Sequence, residues 1–301
     1  MLKFLSSFVL LAACTGTSTD SATANSSSSA SLPVRQIEDI VGAGGHVSNG
    51  VLNISVERKD ISSATGLRGI TLLPSFELHA DLYFQPLGGG QALLNGDFPL
   101  KESEVQPFLK ALIANGLTWQ AYHQHMPTNP QIWFVHYRGE CDPLNLAKAI
   151  RKAIDTTSTP LPQMSPPNPT TPLDVKKLEA ILHGTATVGD NGVVTVDVSR
   201  KHGVKLDGVE AQPETGISTT IELKPTGGTN ADVVPDFSMT SEETMRVFDK
   251  MLMQYDWDQG CLYNQETAEQ PQLYFDHMVK SGDAYQLARE IREGLDETDA
   301  E

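Results

Sequence analysis

Three histidines are the first residues in this chain whose type and spacing could do chemistry. His123 and His125 stand two apart in the run Ala121-Tyr122-His123-Gln124-His125-Met126, and His136 follows in Trp133-Phe134-Val135-His136-Tyr137. In an extended strand, residues two apart leave the same face roughly 6–7 Å from each other, so two imidazoles can converge on one ion. If the turn from Met126 to Pro130 sets His123 opposite His136, a third imidazole shares that face. A register slipped by one residue sends it to the other. Three neutral imidazoles with an open position suit zinc or copper, and catalytic zinc commonly has three protein ligands. The plainer alternative is a polar sheet face whose histidines hydrogen-bond, with His136 packed beside Trp133.

Glu77, His79 and Asp81 form a second alternating set, able to complete or orient such a site because metal-bound imidazoles usually donate their other N–H to a carboxylate or carbonyl. A solvated edge strand is the competing reading. Asp97 and Asp236 fall at matching strand ends, where satisfying backbone donors is the simpler role. Three functions remain open on these residues. The first is a ligand-binding protein, with a transition metal at His123, His125 and His136. The second is a metal-dependent hydrolase in which the same ion activates water and Glu77 or Asp97 is the base. The third is a structural or partner-binding repeat. Gly88-Gly89-Gly90 reads as a hairpin loop, since no Lys-Ser or Lys-Thr follows to make a phosphate cradle. No Ser-His-Asp arrangement or nucleophile elbow is present. Cys141 and Cys261 could pair only across the two halves, and Cys261 reads more simply as a small buried residue.

The elements that must position these groups occur twice. Asn49-Gly50-Val51 matches Asn191-Gly192-Val193; Pro86, Gly88-Gly89 and Asp97-Phe98 match Pro225, Gly227-Gly228 and Asp236-Phe237; Phe134 and His136 match Phe275 and His277; Asp142 and Leu146-Ala147 match Asp283 and Leu287-Ala288. Spacings this nearly equal indicate tandem duplication. In the second copy Cys261-Leu262-Tyr263 stands where His123-Gln124-His125 stands in the first, and the equivalents of Glu77, His79 and Asp81 fall near Gly216, Ser218 and Thr220. The histidine site is therefore expected in the first copy alone, with affinity falling below roughly pH 6 as free imidazoles protonate.

Within the first copy, alternation predicts strands over 51–58, 77–85, 91–98, 118–125 and 131–137. The stripe Val105, Phe108, Leu109, Leu112 and Ile113 predicts a helix over 103–115, with Gly116 just past its end. Asp142 caps another over 143–154. The order β-β-β-α-β-β-α implies an α+β fold, two tandem domains each with a mainly antiparallel sheet and two helices packed on one face. The first repeat is placed at 35–157 and the second at 174–297. Between them, 158–173 holds six prolines and reads as an extended linker; residues 298–301 form an acidic tail.

The start of the chain reads as processing signal rather than fold. Lys3, an apolar run from Phe4 to Ala13 too short to span a bilayer, and then Leu11-Ala12-Ala13-Cys14 suit a lipoprotein signal at 1–13 with Cys14 as the lipidated residue. The Ser/Thr-rich stretch at 14–34 would be a flexible tether. The expected location is exported and lipid-anchored in a bacterial envelope, at the outer membrane if there are two. With 38 acidic and 22 basic residues, a net charge of −16 and no basic block, nucleic acid is excluded as a partner. The partners left are the membrane through its anchor and a small ligand or envelope protein.

The run Asn95-Gly96-Asp97-Phe98-Pro99-Leu100, the His-x-His-Met element, Trp133-Phe134-Val135-His136-Tyr137 and Asp142-Pro143 resemble the LppY and LpqO lipoprotein family. The likeness spans essentially the whole chain beyond the tether. It implies an envelope location and a two-copy domain of uncharacterised function, and brings no reaction.

Overall fold

The computed structural model describes residues 31–163 and 169–301. The signal segment, Cys14 and the tether to residue 30 lie outside the described residues, as do linker residues 164–168. Each copy opens with a short helix absent from the sequence reading. These are α1 (Val34–Val41), ended by Gly42 in the left-handed region, and its counterpart α4 (Val175–Leu182), started by the Asp174 carboxylate, which accepts the Lys177 N–H. The first sheet comprises β1 (Gly45–Ser48), β2 (Val51–Glu57), β3 (His79–Gly88), β4 (Gln91–Lys101), β5 (Thr118–His123) and β6 (Ile132–Cys141). The second comprises β7 (Thr185–Val188), β8 (Val194–Val198), β9 (Thr219–Gly227), β10 (Asn230–Thr240), β11 (Asp258–Tyr263) and β12 (Leu273–Asp283). Their orders, β1-β2-β3-β4-β6-β5 and β7-β8-β9-β10-β12-β11, are the same, and neighbours are antiparallel throughout. The Asn49-Gly50 turn joins β1 to β2 with both residues at positive φ, the pair a tight hairpin requires.

Helices α2 (Glu102–Ala114) and α3 (Pro143–Ile154), with α5 (Ser241–Phe248) and α6 (Ala284–Leu295) in the second copy, complete the α+β pattern of two tandem domains. Asp142 caps α3, accepting from Leu144 N and Asn145 N at 3.0 Å. Three helices rather than two cover the outer face of each sheet. In the first copy Ile37, Phe108, Leu146 and Ile150 pack on Ile54, Leu82, Phe84, Leu94 and Val135; Leu178, Val247 and Ile291 do the same on Val196, Ile221 and Phe237. No helix among the described residues is long and apolar enough to cross a membrane.

The strands alternate, so the residues between these face the other way, and there the two sheets meet. Phe76, Leu78 and Phe134 pack with Val193, Val234 and Val279, and Leu93 packs with Leu206, Leu273 and Phe275. Polar ties cross the same interface. Gln85 Nε2 donates to Glu210 O at 2.8 Å, and Arg138, only 2 % exposed, reaches Asp207, Glu266 and the Thr267 carbonyl. The molecule is thus layered helix, sheet, sheet, helix. The linker starts docked: Gln163 exchanges hydrogen bonds with the Glu57 backbone at 3.0 and 2.7 Å.

Candidate metal centre between the repeats

The sheet faces turned toward each other carry the groups singled out by the sequence. On β3, Ala80, Leu82 and Phe84 point to the helices, so His79, Asp81 and Tyr83 point to the second repeat. Asp97 sits inside β4 opposite His136, rather than at a strand end. His136 in turn faces Ala121 of β5 and His123 faces Phe134, two residues from the expected pairing; a bulge between Trp119 and Ala121 is what keeps His123 on the face of His136. Paired residues share a face, so His123 and His136 still meet, Nε2 to Nε2 at 2.9 Å. His125 lies beyond the end of β5, in the following loop. Its ring is nonetheless brought back against His123, with centroids 5.2 Å apart, and stacks on Phe134 at 3.4 Å.

The second repeat supplies the other wall, contrary to the expectation of a site confined to the first. His277 stacks on His125 at 3.7 Å and Tyr263 on His123 at 3.5 Å. The pairing to β12 also corrects the alignment of the copies. Cys261 opposes His277 as Ala121 opposes His136, and Tyr263 opposes Phe275 as His123 opposes Phe134. Tyr263 is therefore the counterpart of His123, with Cys261 at the Ala121 position. Cys261 is a free thiol and so is not bridged to Cys141.

A cavity of about 100 Å³ lies among these groups, lined by Glu77, Asp81, Asp97, Glu222 and Asp236 together with His79, His125, His136 and His277. That is room for ions and a few waters. It shares His79, Asp81, Tyr83, Thr220 and Glu222 with a neighbouring cleft of about 230 Å³. Glu77 precedes β3 with φ of 68°, a left-handed conformation unusual for its type. Its N–H donates to Glu222 Oε2 at 2.9 Å, and its own carboxylate lies 3.2 Å from His125 Nδ1. His79 pairs through Nε2 with Glu222 at 3.2 Å and with Asp81 at 3.6 Å. Gly216, Ser218 and Thr220 line the cavity from the second copy, without ionisable groups. Glu222 was missed by the sequence reading; it alternates with Thr220 on β9, the signal that places it on this face.

Burial dominates the electrostatics. It pushes the His123 imidazole down to about 4 and holds His125, His136 and His277 well below the ordinary range. Proton competition expected near pH 6 from free imidazoles thus moves lower. Burial, and then the neighbouring Glu222, raises Glu77 well above the carboxylate range; burial and Asp81 raise Asp97 to about 7. His79 moves the other way, because the Glu222 carboxylate overcomes desolvation and keeps it well above a free imidazole. Ligand atoms lie within 4.8 Å of one another inside each of two sets, His123, His125 and His136, and Glu77, His125 and His277.

A family model described as a domain of unknown function (DUF1259) matches residues 35–156 and again 176–297, and the chain belongs to that family. No curated protein matches it. Among solved structures, the crystal structure of a trimeric bacterial microcompartment shell protein, PduB, is similar at 11 % sequence identity and a TM-score of 0.20. The match covers 84 % of this chain and 89 % of that one, a likeness too distant to speak to fold or activity.

Proposed function

We propose that this two-copy member of a family of unknown function binds a divalent transition metal, zinc or copper, in the cavity between its repeats. His123, His125 and His136 are the ligands, with His277 and Glu77 beside them. The orientation of the imidazoles carries this reading. His123 Nδ1 lies 3.2 Å from the Gln124 carbonyl and His125 Nδ1 lies 3.2 Å from Glu77. The Gln124 carbonyl can only accept, so it holds the proton on His123 Nδ1 and leaves Nε2 as the lone pair, which is how outer partners present histidine to a metal. Nε2 of His125 is buried without a hydrogen-bond partner, a costly state that an ion relieves. The cavity lining has five carboxyl groups and no Lys or Arg, so it offers oxygen donors to a cation. Elemental analysis of the purified, desalted chain tests this. Retained zinc or copper, lost in His123→Ala or His136→Ala, is the expected result; a metal-free chain that takes up neither ion at neutral pH overturns it.

A second reading, metal-assisted hydrolysis, draws on Asp97. A carboxylate raised to about 7 in the same cavity suits a general base at neutral pH. Cleavage of a p-nitrophenyl phosphate ester by the loaded chain, lost in Asp97→Asn with the metal retained, would establish it.

We also read the chain as an envelope lipoprotein anchored through Cys14, on its signal-like first residues and its resemblance to the LppY and LpqO lipoproteins. Labelled palmitate is expected to enter the protein, and Cys14→Ser to abolish labelling and release a soluble form. Unchanged membrane retention of that variant contradicts the anchor.

A further inference from the structure

The two ligand sets share His125, whose two nitrogens have different surroundings. Nδ1 lies 3.2 Å from Glu77 Oε2, and Glu77 belongs with His277 to one set. Nε2 is buried and without a partner, which leaves it for the set that contains His123 and His136. The His125 ring is stacked on that of His277, centroids 3.7 Å apart, and its centroid lies 5.2 Å from that of His123.

We propose that the cavity holds two divalent transition-metal ions bridged by His125. One ion sits on His123, His136 and Nε2 of His125. The other sits on Glu77, His277 and Nδ1 of His125. This rests on the metal-binding reading above and adds its nuclearity. The second ion takes the place of the proton between Nδ1 and Glu77; that proton leaves to solvent, and His125 binds as an imidazolate. The 3.2 Å between Nδ1 and the carboxylate oxygen is close to the separation of two ligands on a tetrahedral ion with bonds of about 2.0–2.2 Å.

Two further observations favour a pair. His277 Nδ1 lies 3.5 Å from the Cys261 sulfur, which leaves its Nε2 for an ion. The cavity is lined by five carboxyl groups and by no Lys or Arg, so oxygen donors for a second ion stand beside the histidines.

Copper(II) loading of the full chain, followed by desalting, elemental analysis and electron paramagnetic resonance, tests the bridge. Two retained ions per chain with most of the spin signal lost are expected, because an imidazolate couples the two unpaired electrons. His277→Gln should then retain one ion with its full signal. One ion per wild-type chain, or two with undiminished signals, overturns the bridged pair while leaving metal binding intact. No retained ion overturns both. The wild-type measurement decides the matter even if the variant does not fold.

Discussion

Glu77 contacts the His125 ring on the side away from Nε2, so its effect on the first ion to bind must pass through that ring. Glu77→Ala is expected to weaken binding of the first zinc equivalent about 10–100-fold, the usual effect of losing an outer partner. Glu77→Gln keeps an oxygen that can accept the Nδ1 proton and should weaken it far less. Calorimetric titration compares them, and equal losses would contradict the orienting role. A different residue contributes to the acid dependence of the fold. Arg58 is fully buried and pairs with Asp60 at 2.9 Å and Glu104 at 2.8 Å. Burial alone would raise Asp60, but Arg58 and Lys101 bring it down to about 2. Its folded value lies below the unfolded one, so the stabilisation is complete above about pH 4 and is lost as pH falls toward 2, on the order of 2 kcal/mol in all. Asp60→Asn should lower stability at pH 7 and flatten the dependence between pH 4 and 2 in denaturant titrations; a loss independent of pH contradicts it. At this scale the sequence was readable where side chains alternate. His123, His125 and His136 announced themselves by spacing, whereas His277 looked like the remnant of a degraded copy because its partners are in the other repeat.

Strands bring the histidines together only because the backbone comes very close at one point. A Cβ at Gly260 of β11 would lie 2.5 Å from the His125 carbonyl oxygen and 2.7 Å from that of His277. Both contacts are with backbone, which has little freedom to move. Gly260→Ala is expected to cost about 1–3 kcal/mol, as overpacking does, and to displace the His125 loop enough to weaken metal binding. Thermal unfolding and metal titration check this; unchanged values in both would show that the loop has slack. Periodicity made the long helices legible. Val105, Phe108 and Leu112 are buried as expected, although Ile113 is 63 % exposed. It did not reveal α1, which spans only eight residues directly after Pro33, too short for a periodic signal. Nor did it reveal the bulge between Trp119 and Ala121, since a bulge changes pairing without leaving a mark in residue types.

The whole molecule depends on both copies because the faces turned away from the helices are neither fully polar nor fully apolar. Leu93, Phe134, Phe275 and Val279 lie on those faces with the histidines and carboxylates, and they become buried only when the sheets meet. That mixture was present in the alternation of each strand. It does not by itself signal a second packed face, because one covered face per sheet already accounts for an antiparallel layer. Residues 35–157 and 174–297 produced as separate chains should each bind zinc weakly, and mixing them should restore binding together with a one-to-one complex by sedimentation. Tight binding by the first half alone would return the site to a single repeat. The central claim, an imidazole-rich metal centre shared between repeats, is tested most directly by X-ray absorption at the metal edge of the loaded full chain. The account predicts a nitrogen-dominated first shell at about 2.0–2.1 Å, with outer-shell scattering from several imidazole rings that diminishes in His136→Ala. A shell of oxygens without imidazole scattering, or a spectrum unchanged by loss of His136, would contradict it.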